Sequence, residues 1–184
     1  MANITEVPLS IVSAPGSNSL SAVAIGKQQY FPPTVADNSY WFSVYDRGTL
    51  AQVFSQVQVG NADSVPADLS GKFNTPQYFL VVATRTLYSA YVPAGALHAF
   101  LVDNGASVAL KTLTQVYQQL GCGSLGIVSY GMAGVLGPGS TGHPTVEAST
   151  ISTNVSQYLE ATLVGTPVNN QVLYTPFPLT PPTP

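Results

Sequence analysis

An uninterrupted apolar run over residues 78–84 sets the strongest limit on the fold. Its seven residues, Tyr-Phe-Leu-Val-Val-Ala-Thr, are aromatic, aliphatic or β-branched, and Pro76 precedes them. Such composition favours a β-strand. Consecutive side chains of a strand point to opposite faces of its sheet, so an apolar residue at every position requires cover on both faces. The run therefore predicts a central strand with packing partners on each side.

Residues 107–120 change to helical periodicity. Ser107 is in position to cap a helix N-terminus, and Gly121 follows where a left-handed residue would end the last turn. The apolar side chains on one stripe are Ala109, Leu113, Val116, Tyr117 and Leu120. We predict one main amphipathic helix here. Residues 93–102, with Leu97, Phe100 and Leu101 on one side, predict a short second helix.

The remaining periodic segments predict strands. Alternating or apolar runs bounded by turn residues lie at 7–12, 20–25, 39–45, 49–59, 124–130 and 132–136. The predicted fold class is α/β in the broad α+β sense, a single compact domain with a mixed β-sheet, one main amphipathic helix and a short second helix. We also expect extended arms at both termini.

Three parts of the chain are expected from composition. These are extended N-terminal strands or an arm over 1–38, a compact domain over 39–164, and a Pro-rich C-terminal arm over 165–184. Five of the last nine residues are proline, which forbids a helix and favours extended backbone. Because this segment also carries large apolar groups, we predict that Tyr174, Phe177 and Leu179 form contacts with another subunit or with the domain's own surface.

Several short signals between residues 39 and 137 occur in a recognisable order. They are a strand at 41–45, a turn at 46–48, a Leu-bearing segment at 65–69, a strand at 79–83, a helix ending in Leu120-Gly121, and an apolar-Gly ending at 135–137. This order resembles the interleukin-like EMT inducer domain, also called the PANDER-like domain. The resemblance implies a compact domain with a non-catalytic binding role, for which a glycan or a cell surface would be the partner.

Charged residues are unusually scarce. Asp, Glu, Lys and Arg make up 7% of the chain, against about 25% in an ordinary soluble domain. No Lys or Arg follows Lys111, which disfavours nucleic-acid binding because phosphate contacts need cations. The N-terminus lacks the pattern of a signal peptide and no apolar run is long enough to span a bilayer, so we expect a chain that is cytoplasmic as synthesised and not inserted in a membrane.

The residues that could take part in catalysis, cofactor binding or metal binding do not form a recognisable motif. Residues 121–126 match G-x-G-x-x-G, but they follow a helix and precede a strand, the reverse of the dinucleotide-binding context. Cys122, His98 and His143 share no spacing that would pair a nucleophile with a base or build a metal site. We therefore predict no catalytic residues, no cofactor and no metal, and a protein that is not an enzyme.

Aromatic content points towards binding. The chain has ten Tyr, seven Phe and one Trp, and such side chains suit protein interfaces and sugar faces alike. Tyr88, Tyr91 and Tyr130 are the predicted ligand-facing aromatics. Two hypotheses follow. The favoured one is a virion component, such as a phage head-decoration or tail accessory subunit, that contacts other subunits as a homo-oligomer or within a larger assembly. The alternative is a carbohydrate-binding or cell-surface module.

Overall fold

The computed structural model describes residues 5–16, 20–120, 127–138, 142–151 and 155–179, with the backbone alone at 117–120. The strands are β1 (Thr5–Ser13), β2 (Ala22–Ile25), β3 (Gln28–Tyr30), β4 (Ser39–Asp46), β5 (Gln52–Val59), β6 (Tyr78–Arg85), β7 (Leu87–Tyr88), β8 (Ile127–Val135), β9 (Val146–Ile151), β10 (Gln157–Val168) and β11 (Gln171–Pro178). The helices are α1 (Ala67–Ser70), α2 (Gly95–Asp103) and α3 (Val108–Leu120), with a 3-10 turn at Ser89–Tyr91. None of the described helices is long and apolar enough to cross a membrane.

Strands and helices combine in one compact fold, as predicted, but the strands form two sheets where a single one was expected. A five-stranded sheet has the order β11-β10-β1-β2-β3. In the second, six-stranded sheet, β5, β4, β6 and β8 follow one another, and β7 and β9 also pair with β8. Every ladder between these strands is antiparallel, so the expected mixed sheet is also wrong.

The expected arms are incorporated into the five-stranded sheet. Residues 5–13 pair with β10 along their whole length, and β10 pairs in turn with β11. The prolines of β11 are compatible with this place because β11 is an edge strand, where a missing N–H removes no ladder hydrogen bond. The prediction of an arm over 165–184 is therefore wrong for residues 165–178, while residues 180–184 lie outside the described residues.

The six-stranded sheet is the middle layer of three. One face packs on the five-stranded sheet through the inter-sheet core, which comprises Leu9, Ile11, Val23, Ile25, Trp41, Tyr45, Phe79, Val81, Ala83, Ala133, Val146, Ala161 and Leu163. The other face packs on the helices through the helix-side core, which includes Tyr40, Phe42, Val44, Leu69, Leu80, Val82, Leu97, Leu101, Leu110, Leu113 and Met132. Strand β6 lies between β4 and β8. The prediction of a central strand covered on both faces is confirmed.

Strand β8 replaces two shorter predicted strands. The sequence suggested a break at Gly131, but the pairing with β9 runs continuously from Val128 to Ala133. A different glycine of β8, Gly134, allows the strand to pack closely against the end of α2. A Cβ at this position would lie 2.9 Å from the carbonyl oxygen of Asn104. The predicted residues 124–126 lie outside the described residues.

Both predicted helices are confirmed, as α2 and α3. In α3 the side chains of Leu110 and Leu113 are 1% exposed, whereas the stripe predicted from the sequence included Ala109 in place of Leu110. The side chains of Tyr117 and Leu120 lie outside the described part of the helix. Burial of one α3 face against the middle sheet therefore depends on Leu110 and Leu113.

We predict that Leu113→Ala lowers the free energy of unfolding by about 2–4 kcal/mol, because it leaves a cavity in the helix-side core. Gln115→Ala is the matched control on the exposed side of the same helix, and it should change stability by less than about 0.5 kcal/mol. Chemical denaturation measures both. Equal losses for the two variants would contradict this assignment of the buried face.

The turn between β4 and β5 is organised by Asp46, in agreement with the predicted turn at 46–48. Its Oδ1 accepts hydrogen bonds from Gly48 N and Thr49 N, both at 2.9 Å, and from Thr49 Oγ1 at 3.1 Å. Its Oδ2 accepts one from Gln77 Nε2 at 2.9 Å, just before β6. Burial acts to raise the pKa of Asp46, but the hydrogen bonds from Gln77, Thr49 and Gly48 together lower it below its ordinary value.

A folded-state pKa below the unfolded one stabilises the fold above the unfolded pKa and loses that contribution as pH falls through the folded pKa. We therefore expect part of the acid sensitivity below about pH 4 to come from Asp46. Urea titrations across the acid range should show a shallower loss of stability for Asp46→Asn than for the parent protein. Parallel profiles would show that this carboxylate does not contribute.

Candidate functional site

The three tyrosines predicted to face a ligand do not share one surface. Tyr88 is 49% exposed, at β7. Tyr91 is half-buried in the 3-10 turn, where its carbonyl oxygen accepts a hydrogen bond from Tyr40 Oη. Tyr130 is fully buried in β8, and its hydroxyl donates to Glu147 Oε2 at 3.0 Å. The prediction for Tyr130 is therefore wrong, because β8 lies in the covered middle sheet.

Glu147 explains why Tyr130 points inwards. Oε1 of this β9 carboxylate accepts hydrogen bonds from Ser107 N and Ala109 N, both at 2.9 Å, at the start of α3. A negative charge at a helix N-terminus is stabilising, and here it comes from a distant strand. Burial, followed by the neighbouring charge of Glu147, raises the pKa of Tyr130. The pair holds α3 on the middle sheet, and all its contacts are internal.

The predicted interface residues of β11 and the residue after it have different surroundings. Tyr174 packs against the inter-sheet core, on the protein's own domain. Phe177 and Leu179 are 38% and 51% exposed and remain accessible to a partner. Of the three, Phe177 and Leu179 therefore remain candidates for contact with another chain.

The histidines predicted to be chemically inert lie in different surroundings. His98 is half-buried on α2 and lines a groove beside α3. For His143, burial first and then the charge of Arg47 lower the pKa. The described residues contain no group of three or more His, Cys, Asp or Glu side chains that could hold a metal ion. Cys122 and the G-x-G-x-x-G segment lie outside the described residues.

A groove of about 800 Å³ separates α2 from α3. Its lining is mostly aliphatic, with His98 and Lys111 as the groups able to carry positive charge, and it contains no Phe, Tyr or Trp. Val108 is 74% exposed at its rim. The volume is in the range of small-molecule sites, but the lining offers no aromatic ring for a sugar to stack on. The sequence did not reveal this groove because it arises from the placement of the two helices.

A buried arginine joins the two sheets. Arg47, 4% exposed, follows β4 and donates from Nε to Tyr174 O, from Nη1 to Pro76 O and from Nη2 to Thr175 Oγ1, each at 2.7 Å. Its own backbone accepts a hydrogen bond from Tyr174 N and donates one to Gln77 O. Burial lowers the pKa of Arg47, but a guanidinium stays charged in proteins. This side chain fixes β11 against the end of the middle sheet.

Arg47→Met should lower the free energy of unfolding by about 2–5 kcal/mol, because it leaves two carbonyls and a hydroxyl unsatisfied in a buried place. Arg47→Lys should lose somewhat less, since one ammonium cannot reproduce the planar fork of three donors. The control is Lys27→Met, at an exposed turn. Urea unfolding measures all three, and a loss for Arg47→Met no larger than for Lys27→Met would contradict this role.

The five-stranded sheet has one uncovered face. Strand residues alternate between the inter-sheet core and the opposite side, and no described helix packs on that opposite side, because the helices lie beyond the middle sheet. We call it the outer face. Its residues are Glu6, Pro8, Ser10, Val12, Ala22, Ala24, Gln29, Tyr158, Glu160, Thr162, Val164, Thr166, Leu173, Thr175 and Phe177. Glu6 and Glu160 are its charged members, and Glu160 lies between Tyr158 and Thr162 along β10. The other side chains are uncharged, and Thr175 among them is buried.

No known protein family has a model that matches this sequence, and no curated protein sequence matches it either. The resemblance to the interleukin-like EMT inducer domain therefore stays a prediction.

Proposed function

We propose that the protein is a non-catalytic structural subunit that assembles with other protein chains, and, within that class, a virion component such as a head-decoration or tail accessory subunit. The observation that carries the proposal is the outer face. Contiguous apolar patches on a protein surface are typical of association sites, and the outer face has only two charged side chains, Glu6 and Glu160, among its described residues. Here Tyr158 is 65% exposed and Phe177 38% exposed, among half-buried alanine, valine and threonine side chains.

The register places these side chains in continuous rows. Val12 lies between Ala22 and Tyr158, and Thr162 lies between Pro8 and Phe177. Flat rows of small side chains flanked by aromatic rings allow close approach of a second surface, and aromatic anchors contribute most to such contacts. The chain's scarcity of charge supports the same conclusion, because little electrostatic repulsion opposes association between identical copies.

The glycan-binding alternative has less support. One of its three aromatic residues, Tyr130, is buried, and the groove between α2 and α3 has no aromatic lining. Tyr88 is the one fully accessible ring among the three. No arrangement of the described residues favours sugar binding over assembly.

Deletion of the C-terminal segment is not a suitable test of assembly. Deleting residues 161–184 would remove β11 and part of β10 and would open the inter-sheet core, so loss of assembly would not be informative. Substitutions on the outer face avoid this problem because their side chains point away from the core.

We predict that the parent protein forms a defined oligomer in size-exclusion chromatography with light scattering. Tyr158→Lys and Thr162→Lys should each weaken it without lowering the melting temperature, because a charge is placed on the associating face. Val108→Lys, an exposed valine at the start of α3, is the matched control and should leave the oligomer intact. A parent protein that stays monomeric at all soluble concentrations would overturn the proposal. Immunogold labelling of purified particles tests the virion assignment separately.

A further inference from the structure

We propose that β5 is an open docking edge, to which the β5 strand of a second copy adds in antiparallel orientation, joining two six-stranded sheets into one continuous sheet. The inference rests on the proposed assembly function and names a second surface for it. Strand addition of this kind forms main-chain hydrogen bonds between the two edge strands.

The backbone of β5 is paired along one side. Strand β4 is its partner from Ser39 to Tyr45, and no other described strand lies against it. Gly60 N donates to Asn38 O at 2.8 Å, in register with the β4–β5 ladder. Alternate residues of an antiparallel ladder direct their N–H and C=O groups to opposite edges. The backbone groups of Ser55, Val57 and Val59 therefore point away from β4.

The sequence of β5 lacks the charges and prolines that keep many natural edge strands from pairing. Residues 52–59 read Gln-Val-Phe-Ser-Gln-Val-Gln-Val, without a charge or a proline. Natural edge strands are protected by charged side chains, proline, short length, a bulge or a covering element. The ladder with β4 has one bulge, at Val53, and is regular over residues 54–59. At eight residues β5 is also long enough for a full ladder.

The other four edges in the described fold do have such protection. Strand β7 has two residues. Strand β3 has three residues, and Pro32 and Pro33 follow shortly after it. Strand β11 contains Pro176 and Pro178. Strand β9 carries a charged residue, Glu147, whose carboxylate is directed inwards at the start of α3. The contrast singles out β5.

A second copy is the partner that fits this edge. With a twofold axis at Gln56, Ser55 lies opposite Val57 of the other copy, and Val59 lies opposite the bulge residue Val53. Val53 and Val59 are 41% and 53% exposed, so the pairing would bring these exposed valines together at each end of the new ladder. A twofold contact of this kind is self-complementary, and no like charges oppose each other in it.

The test uses opposite charges at the two exposed valines. Val53→Lys with Val59→Lys, and separately Val53→Glu with Val59→Glu, should each weaken self-association on the order of tenfold or more in sedimentation velocity, because like charges then face each other. An equimolar mixture of the two variants should restore association. Val102→Lys, 43% exposed on α2, is the control and should behave like the parent.

Hydrogen exchange gives an independent measurement. In the oligomeric parent protein the amides of Ser55, Val57 and Val59 should exchange slowly, and in the double lysine variant they should exchange quickly while those of β4 stay protected. An oligomer that tolerates both charged variants, or that leaves these three amides unprotected, overturns the β5 inference but leaves assembly through the outer face standing. A monomeric parent protein overturns both.

Discussion

Burial of the middle sheet on both faces is the interaction on which the rest of the structure depends. Strands β4 and β6 are buried at nearly every position, so neither the helices nor the five-stranded sheet can be removed without exposing a continuous apolar surface. At about 25 cal/mol per Å² of apolar surface, this is the dominant stabilising term for a chain that has few ion pairs to contribute. The described residues contain one salt bridge, between Arg85 and Asp37.

The sequence was most informative where a local pattern and the tertiary environment agree. The apolar run that became β6 could be predicted because both of its faces are buried, and α3 could be predicted because one face is buried and the other is solvated. The division into two sheets could not, since β1 and β10 carry the same alternating pattern that a strand of a single sheet would carry. Long-range register, such as Leu9 opposite Ala161, leaves no local signal.

The site was predicted less well, and for physical reasons. Tyr130 was expected at the surface because its hydroxyl is polar, but Glu147 satisfies that hydroxyl inside the fold. The structural role of Arg47 was not predicted, because its acceptors are carbonyl and hydroxyl oxygens that no sequence motif encodes. Proline in β11 indicated an arm, although proline is equally compatible with an edge strand. Polar partners supplied by distant segments explain the errors at Tyr130 and Arg47, whereas the error at β11 came from the two environments that suit proline.

The pairing of β1 with β10 has a consequence for how the chain reaches its native state. The paired positions Thr5 and Gly165 are 160 residues apart in the sequence. Such a contact must close a large loop, whose entropy cost precedes the stabilising contacts, and this slows folding. During synthesis, β1 cannot pair with β10 until nearly all the described chain has emerged. Throughout that interval the apolar residues of β4 and β6 that will form the inter-sheet core are exposed to other chains. Folding intermediates of this protein should therefore be prone to aggregation and depend on chaperones more than the compact native fold suggests.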